Sequence, residues 1–368
     1  MKRTALLLVL LLLGAVVAAG CIGGEKATTE TSTSSPATTS NSPTESSGTT
    51  TSTSSTGSSG TTTSTSPTES SSITSTTSAE LETGYPIEIR DFANRTVTIE
   101  KKPERIVSLA PSITEDLYYI GQLGSVVGVT KWADFPPAVA NITRVGGYGK
   151  YANLEIIASL NPDLILADGY SMSILEDLEK IAPVVIIDPK NITDIYRSIE
   201  LLGKITNSEE EARRVVADMK AEVDYVTSMV AGEPKPKVLF ITWWNPIWVP
   251  GNGTFQDDLI RLAGGENVFH DVNGWAQVSM EQVLERDPEV IILSSGGITA
   301  EELCNTPLVD TKALKEGRVF TISDENLVSR PGPRIVYGLR EIATYLHPEA
   351  FNYTFQPLTC NATASAGG

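Results

Sequence analysis

Two stretches of the sequence follow one pattern, NLEIIASLNPDLIL at residues 153–166 and SMEQVLERDPEVII at residues 279–292. In each copy a glutamate, Glu155 or Glu281, stands seven positions before a proline, and an acidic residue follows that proline. The pattern predicts a polar N-cap, two helical turns, a stop at the proline and then a buried strand. A duplicated unit of this kind indicates two similar lobes with a cleft between them.

The segments around both copies alternate between strand and helix patterns, which predicts mostly parallel sheets with helices on both faces. We expect an N-terminal lobe over residues 84–206, a linker helix within 207–233, a C-terminal lobe over 234–348 and a tail over 349–368. Ser208 with Glu211 matches a capping box at the start of the linker helix, and Ser112 with Glu115 matches another in the first lobe. The predicted fold class is therefore α/β, with two lobes joined by one long, stiff helix.

The N-terminal region has the features of an exported lipoprotein. Lys2 and Arg3 precede a short apolar run and the sequence Ala-Gly-Cys ending at Cys21, which predicts a signal peptide over 1–20. We interpret Cys21 as a lipid anchor; the alternative is ordinary signal cleavage with no role for this cysteine. Residues 21–83 are rich in Ser, Thr and Pro and predict a disordered stalk. The expected location is the extracytoplasmic face of the cell membrane, contacted through the lipid alone.

Charge and motif content exclude several classes of function. The net charge of -17 argues against binding to nucleic acid and to anionic lipid surfaces. The sequence has only two histidines and none of the common hydrolase, P-loop or Cys-x-x-Cys motifs. We therefore expect no enzyme activity, no metal site and no cofactor.

Cysteines and sequons fit an extracytoplasmic location. Cys304 and Cys360 predict one disulfide outside the cell, the alternative being two buried free thiols. Asparagines of Asn-x-Thr sequons predict a glycosylated surface, and they are Asn94, Asn141, Asn191, Asn252, Asn352 and Asn361.

Aromatic residues cluster after predicted strands. All five tryptophans fall on or beside such loops, as do several tyrosines of the first lobe. Ligands of open parallel sheets bind outside the carboxyl ends of the strands. Large flat side chains there suit a bulky, flat ligand that is held by burial and stacking.

Residues 84–348 resemble the solute-binding proteins of ABC importers for cobalamin and ferric siderophores, the type with a helical backbone between lobes. The motifs are RIVSLAPSITE at 105–115, DFPP at 134–137, both repeats, GGENVF at 264–269 and RPGPR at 330–334. The resemblance is strongest to the cobalamin-binding branch. It implies a monomeric partner of an ABC permease dimer and its ATPase. It also implies that Glu155 and Glu281 dock onto permease arginines, where paired negative points match paired positive points.

The same resemblance implies a set of ligand contacts at the cleft. They are Trp132, Tyr148, Tyr170, Trp248, Trp275, Asp324 and Arg330. Tyr170 stands where that branch has a tryptophan. The acidic cleft favours a corrinoid over anionic ferric siderophores, which attract several arginines. We therefore expect cobalamin; the alternatives are a ferric siderophore or haem, or a surface sensor or adhesin that takes no part in transport.

Overall fold

The computed structural model describes residues 84–294 and 297–360, and these form an α/β fold with two parallel sheets. The predicted signal peptide, Cys21, the stalk and Asn361 lie outside the described residues. A two-stranded antiparallel hairpin opens the described chain, β1 (Ile87–Arg90) with β2 (Thr96–Ile99). Within the described residues, no helix combines the length and the apolarity that a membrane crossing requires.

The first lobe is built on a five-stranded parallel sheet in the order β5-β4-β3-β6-β7. Its strands are β3 (Ile106–Ser108), β4 (Val126–Val129), β5 (Thr143–Arg144), β6 (Leu164–Ala167) and β7 (Val184–Ile186). Its helices are α1 (Pro111–Tyr119), α2 (Leu154–Ser159), α3 (Leu175–Glu179) and α4 (Ile192–Thr206). The central strands β3 and β6 are wholly buried, and every residue in them except Ser108 is aliphatic, as expected of strands covered on both faces.

A single helix, α5 (Glu209–Met229), connects this lobe to the next. Its 21 residues span about 32 Å at 1.5 Å each. It packs on α4 so closely that a Cβ on Gly203 would lie 2.5 Å from the Ala212 Cβ. The capping box predicted at Ser208 is wrong, because the Ser208 hydroxyl lies 2.6 Å from the Thr206 hydroxyl and caps no N–H.

The second lobe is built on a four-stranded parallel sheet in the order β10-β8-β12-β13, with a separate antiparallel ribbon of β9 and β11. Its strands are β8 (Lys237–Ile241), β9 (Ile247–Pro250), β10 (Glu266–Asn267), β11 (Trp275–Val278), β12 (Val290–Leu293) and β13 (Val319–Thr321). Its helices are α6 (Phe255–Leu262), α7 (Met280–Arg286), α8 (Ala300–Leu303), α9 (Lys312–Lys315), α10 (Asn326–Ser329) and α11 (Ile335–Leu346). The predicted fold class is confirmed.

The repeated stretch occupies the same place in each lobe. Asn153 caps α2 by accepting from the Ile156 N–H at 3.0 Å, and Ser279 caps α7 in a complete capping box. The acidic residue after each proline accepts a hydrogen bond from a backbone N–H at the beginning of the first strand of its lobe's parallel sheet, or just before that strand. Asp163 accepts from Arg105 at 2.9 Å and Glu289 from Lys237 at 3.0 Å. The repeat therefore fixes the strand that follows it against the first strand of its lobe.

The C-terminal segment packs on the second lobe instead of extending as a tail. The Phe355 ring contacts Phe320 edge to face at 5.0 Å, and the Leu358 N–H donates to the Gly317 carbonyl. The predicted disulfide joins Cys304 and Cys360, whose Cα atoms lie 5.3 Å apart. The packed structure of this lobe thus continues to residue 360.

Candidate functional site

The first-lobe part of the candidate site lies in loops that follow the carboxyl ends of β4, β5 and β6. Trp132 comes three residues after β4, and 51% of it is exposed. The Lys131 ammonium lies 4.6 Å from the centroid of the Trp132 ring, a cation–π distance. Large aromatic rings are normally buried more fully than this, so an exposed one at a strand end is suited to a ligand.

Tyr148 and Tyr170 form a second aromatic group in the same lobe. Their ring centroids lie 6.1 Å apart with planes inclined by 55°. The close approach of the two loops depends on Gly149, because a Cβ there would lie 2.6 Å from the Tyr170 carbonyl oxygen and its φ is +51°. Burial raises the pKa of Tyr148 above its ordinary value. Tyr170 is 76% exposed.

The second-lobe part of the candidate site is the β9–β11 ribbon, which the sequence patterns did not predict. Trp248 pairs with Gln277, and Trp275 pairs with Pro250 in the antiparallel register. Because side chains two positions apart share a face, Trp248 and Trp275 stand on one side of the ribbon. They are 37% and 44% exposed. The ribbon thus presents two tryptophan rings to solvent.

Two arginines of the second lobe bind a buried glutamate of the first lobe. Glu115 on α1 is 1% exposed and accepts from Arg334 Nε at 2.8 Å and Arg334 Nη2 at 2.9 Å. Arg330 Nη1 donates to the same carboxylate at 2.8 Å. The Arg334 guanidinium also lies 4.3 Å from the Phe135 ring centroid and 3.3 Å from an oxygen of Asp324. This network ties the two lobes together.

Arg330 extends the network to the loop that carries Trp132. Its Nη1 donates to Asp134 at 2.6 Å, and its Nη2 donates to the Trp132 carbonyl at 3.1 Å. The hydrogen bond from Arg330 holds the pKa of Asp134 below its usual value. Since Arg330 lies beyond β13 and Trp132 beyond β4, these contacts bring the carboxyl ends of the two sheets together. Trp132 therefore lies at the contact between the lobes, and Tyr148 is close enough to Arg330 and Asp134 for their charges to act on its phenol.

A second acidic residue of α1 lies beside this network without a partner. Asp116 is 1% exposed, and neither of its carboxylate oxygens has a hydrogen-bond partner among the described residues. Burial, together with the neighbouring charge of Glu115, raises the pKa of Asp116 well above its usual value. One oxygen lies 3.1 Å from the position that a Cβ on Gly332 would occupy, so this glycine allows the second lobe to approach.

One sequence prediction about this network is wrong, and the sequence patterns missed the roles of two of its residues. Glu115 does not complete a capping box, because Ala110 is the N-cap of α1 and makes no side-chain capping bond. The interlobe roles of Glu115 and Arg334 were not predicted. Both residues belong to the motifs on which the family resemblance is based, and that resemblance was the signal from which their importance could have been predicted.

Glu155 and Glu281 occupy equivalent, exposed positions, each the second residue of its helix. A negative charge in a first helical turn is favoured by the helix dipole. Hydrogen bonds from its own backbone N–H and from Ser279 lower the pKa of Glu281, so this carboxylate stays charged.

The two histidines are engaged within the second lobe. His270 Nδ1 lies 2.9 Å from an oxygen of Asp257, and burial lowers the pKa of His347. In the part of the chain that the structure describes, no group of three or more His, Cys, Asp and Glu side chains is placed to hold a metal ion.

Comparison with known proteins identifies clear relatives. The family model described as periplasmic binding protein matches residues 106–325. A Bacillus subtilis ABC transporter substrate-binding lipoprotein is 31% identical over 277 residues, which are 73% of this chain and 87% of the relative. The vitamin B12-binding protein of Pectobacterium atrosepticum is 32% identical over 253 residues, 66% of this chain and 88% of the relative.

A solved structure supports the same relationship at the level of the fold. It is a possible iron-binding periplasmic solute-binding protein from Staphylococcus epidermidis, 30% identical, with a TM-score of 0.60. The superposition covers 67% of this chain and 100% of that one.

Proposed function

Because this chain belongs to the periplasmic binding protein family and is an extracytoplasmic substrate-binding component of an ABC importer, we propose that its ligand is cobalamin. The observation that supports the proposal is the exposure of aromatic rings on both lobes. Trp132 and Tyr170 stand on the first lobe, and Trp248 and Trp275 share a face on the second. A flat macrocycle offers two faces, and each face is large enough to cover such rings.

Polar groups at the same place suit the rim of a corrinoid, which carries amides. The side chains of Asp134 and Asp324 are 62% and 40% exposed, while that of Arg330 is 11% exposed and already bound to three first-lobe groups. The free hydrogen-bonding capacity is therefore largely that of acceptors, which amide N–H groups satisfy. We retain Asp324 as a direct contact. Arg330 contributes mainly by holding the Trp132 loop, with its remaining exposed edge toward the ligand.

A second candidate ligand is an iron chelate, either a ferric siderophore or haem. Tyr148 and Tyr170 favour it, because their adjacent phenol groups offer oxygen ligands to iron. The Staphylococcus epidermidis structure, described as possibly iron-binding, agrees with this alternative. Tryptophan fluorescence titrations with cyanocobalamin, a ferric siderophore and haem distinguish the candidates. Saturable quenching by cyanocobalamin at the lowest concentration supports the proposal, and preference for either iron compound overturns it.

Delivery to the importer is proposed to use Glu155 and Glu281. Both are exposed and lie at matching places on the two lobes, as docking to a two-fold permease dimer requires. The double substitution Glu155→Lys/Glu281→Lys should abolish cobalamin uptake through the cognate importer while ligand binding is unchanged. The matched control is Glu176→Lys/Glu285→Lys, which makes the same charge change at exposed glutamates of α3 and α7. Uptake that survives in the first variant, or is equally lost in the control, contradicts the docking role.

We propose that Cys21 attaches the protein to the membrane by lipid and that the protein acts as a monomer. Cys21→Ala should release the chain into the soluble fraction. The proposal fails if the variant sediments with membranes as the wild type does. Light scattering of the released chain then reports whether it is a monomer.

A further inference from the structure

Three sequons of the described chain are open to a modifying enzyme. Asn94, Asn141 and Asn352 are exposed, and so is the threonine two positions after each. No side-chain hydrogen bond holds any of the three asparagines to a described residue. Asn94 and Asn352 have positive φ values of 61° and 51°, so each projects from a tight turn.

The sequon at Asn191 is closed by its role as a helix cap. The side-chain oxygen of Asn191 accepts from the Asp194 N–H at 2.8 Å, and its Nδ2 donates to the Asp194 carboxylate at 3.1 Å. The next residue, Ile192, is buried, and its N–H donates to Asp258 of the second lobe. Both functional atoms of the Asn191 amide are thus used at a contact between the lobes.

The sequon at Asn252 is closed at its threonine. Thr254 is 5% exposed, and its hydroxyl donates to the Gly251 carbonyl at 2.8 Å and accepts from the Asp257 N–H at 3.2 Å. The Asn252 backbone pairs with that of Gly274, the residue before Trp275. A glycan at this position would stand beside the ribbon that carries the exposed tryptophans.

The open sequons lie at other parts of the fold. Asn141 precedes β5, at the amino end of a strand whose carboxyl end leads to the candidate site. Asn352 follows α11, which begins at the interlobe arginines and runs about 18 Å away from them over its 12 residues. Asn94 sits in the turn between β1 and β2.

We propose that Asn94, Asn141 and Asn352 are N-glycosylation sites of the folded protein and that Asn191 and Asn252 are not. The co-reactant is an oligosaccharide linked through phosphate to a lipid, used by a membrane oligosaccharyltransferase. A bond forms between asparagine Nδ2 and C1 of the first sugar as the bond from C1 to the lipid phosphate oxygen breaks. The phosphate leaves with that electron pair, and Nδ2 loses one proton, so no oxidant or reductant is needed. The proposal requires only that the chain is exported and does not depend on the ligand.

The test is an in vitro transfer reaction that compares the folded full-length chain with peptides cut from the same chain. The peptides are produced with a glutamate-specific protease, which leaves every sequon intact because no sequon contains glutamate. Both substrates receive purified oligosaccharyltransferase and its lipid-linked donor, and mass spectrometry measures the occupancy of each asparagine. Among the five sequons within the described residues, we expect all to be modified in the peptides, and only Asn94, Asn141 and Asn352 in the folded chain.

Matched variants identify the modified sites independently. Thr96→Ala, Thr143→Ala and Thr354→Ala should each remove one glycan from the folded chain without changing its far-ultraviolet circular dichroism. Modification of Asn191 or Asn252 in the folded chain overturns the proposal, as does the absence of a glycan from the three open sites. Failure of Asn191 and Asn252 as peptides also contradicts it, because their closure would then not come from the fold.

Discussion

Replacing Glu115 by glutamine should destabilise the protein strongly, because this residue joins the two lobes from a buried position. Its carboxylate is 1% exposed and accepts three hydrogen bonds from two guanidinium groups, at 2.8, 2.8 and 2.9 Å. Removing one partner of a buried ion pair costs about 3–5 kcal/mol, since the remaining charge stays buried without compensation. We expect Glu115→Gln to lower the free energy of unfolding by about that amount.

The assay is equilibrium unfolding in urea, followed by tryptophan fluorescence and by circular dichroism. The slope of the free energy against urea should stay the same, so that the midpoint reports stability. Glu179→Gln is the matched control, because Glu179 pairs with Arg95 at 2.7 Å while 44% of its side chain is exposed. Exposed pairs contribute about 0–1 kcal/mol. A midpoint shift for Glu115→Gln no larger than that of the control refutes the reasoning.

A double-mutant cycle separates the pair from its surroundings. Arg334→Met removes the guanidinium that binds Glu115 twice. The double variant Glu115→Gln/Arg334→Met should lose less stability than the sum of the single variants, because the orphaned charge is removed with its partner. Additive losses would show that the two groups do not stabilise the lobe contact together.

Three further predictions follow from other parts of the structure. Asp116→Asn should stabilise the fold at pH 7. Because the pKa of Asp116 is raised, the stability of the wild type falls as pH rises from the ordinary aspartate range towards that raised value. The stability gained by the substitution should therefore vanish near pH 4. A urea midpoint of Asp116→Asn that equals that of the wild type at pH 7 as well as at pH 4 contradicts this prediction. Trp275→Ala should weaken cyanocobalamin binding by about 2 kcal/mol, roughly 30-fold, in a fluorescence titration, whereas Tyr225→Ala on α5 should leave it unchanged. An equal loss of affinity in Trp275→Ala and Tyr225→Ala would show that Trp275 has no specific role in binding. Cys304→Ser/Cys360→Ser should lower the free energy of unfolding by about 2–5 kcal/mol, and a thermal midpoint equal to that of the wild type would argue against it.

The parallel sheets could be predicted from the sequence because their strands are short, buried aliphatic runs that follow clear helix stops. β6 and β12 follow the two prolines of the repeat, where the pattern predicted buried strands. The β9–β11 ribbon was missed, because IWVP at 247–250 and WAQV at 275–278 lack clean alternation and pair only through a long-range contact. Local patterns carry no information on such pairing.

The candidate site divides in the same way. The exposed aromatic residues of the first lobe were predictable as a group, since each follows a strand and strand ends meet at one edge of a sheet. Trp248 and Trp275 instead lie within the strands of the ribbon that was missed. The partners of Arg330 were not predictable, because Glu115 lies 215 residues away in sequence and its local pattern matched a capping box. A buried carboxylate and an N-cap partner look alike until the opposite lobe is in place. The contacts of Asp163 and Glu289, the acidic residues after the prolines, were not predictable for the same reason, because the backbone groups that they bind are distant in sequence.

Co-elution of cyanocobalamin with the purified full-length chain on size exclusion tests directly whether cobalamin is the ligand. Visible corrinoid absorbance should travel with the protein peak at one ligand per chain, and Trp275→Ala should reduce it. If the corrinoid elutes entirely in the free position while a ferric siderophore or haem travels with the protein, the claim that this protein captures cobalamin is contradicted.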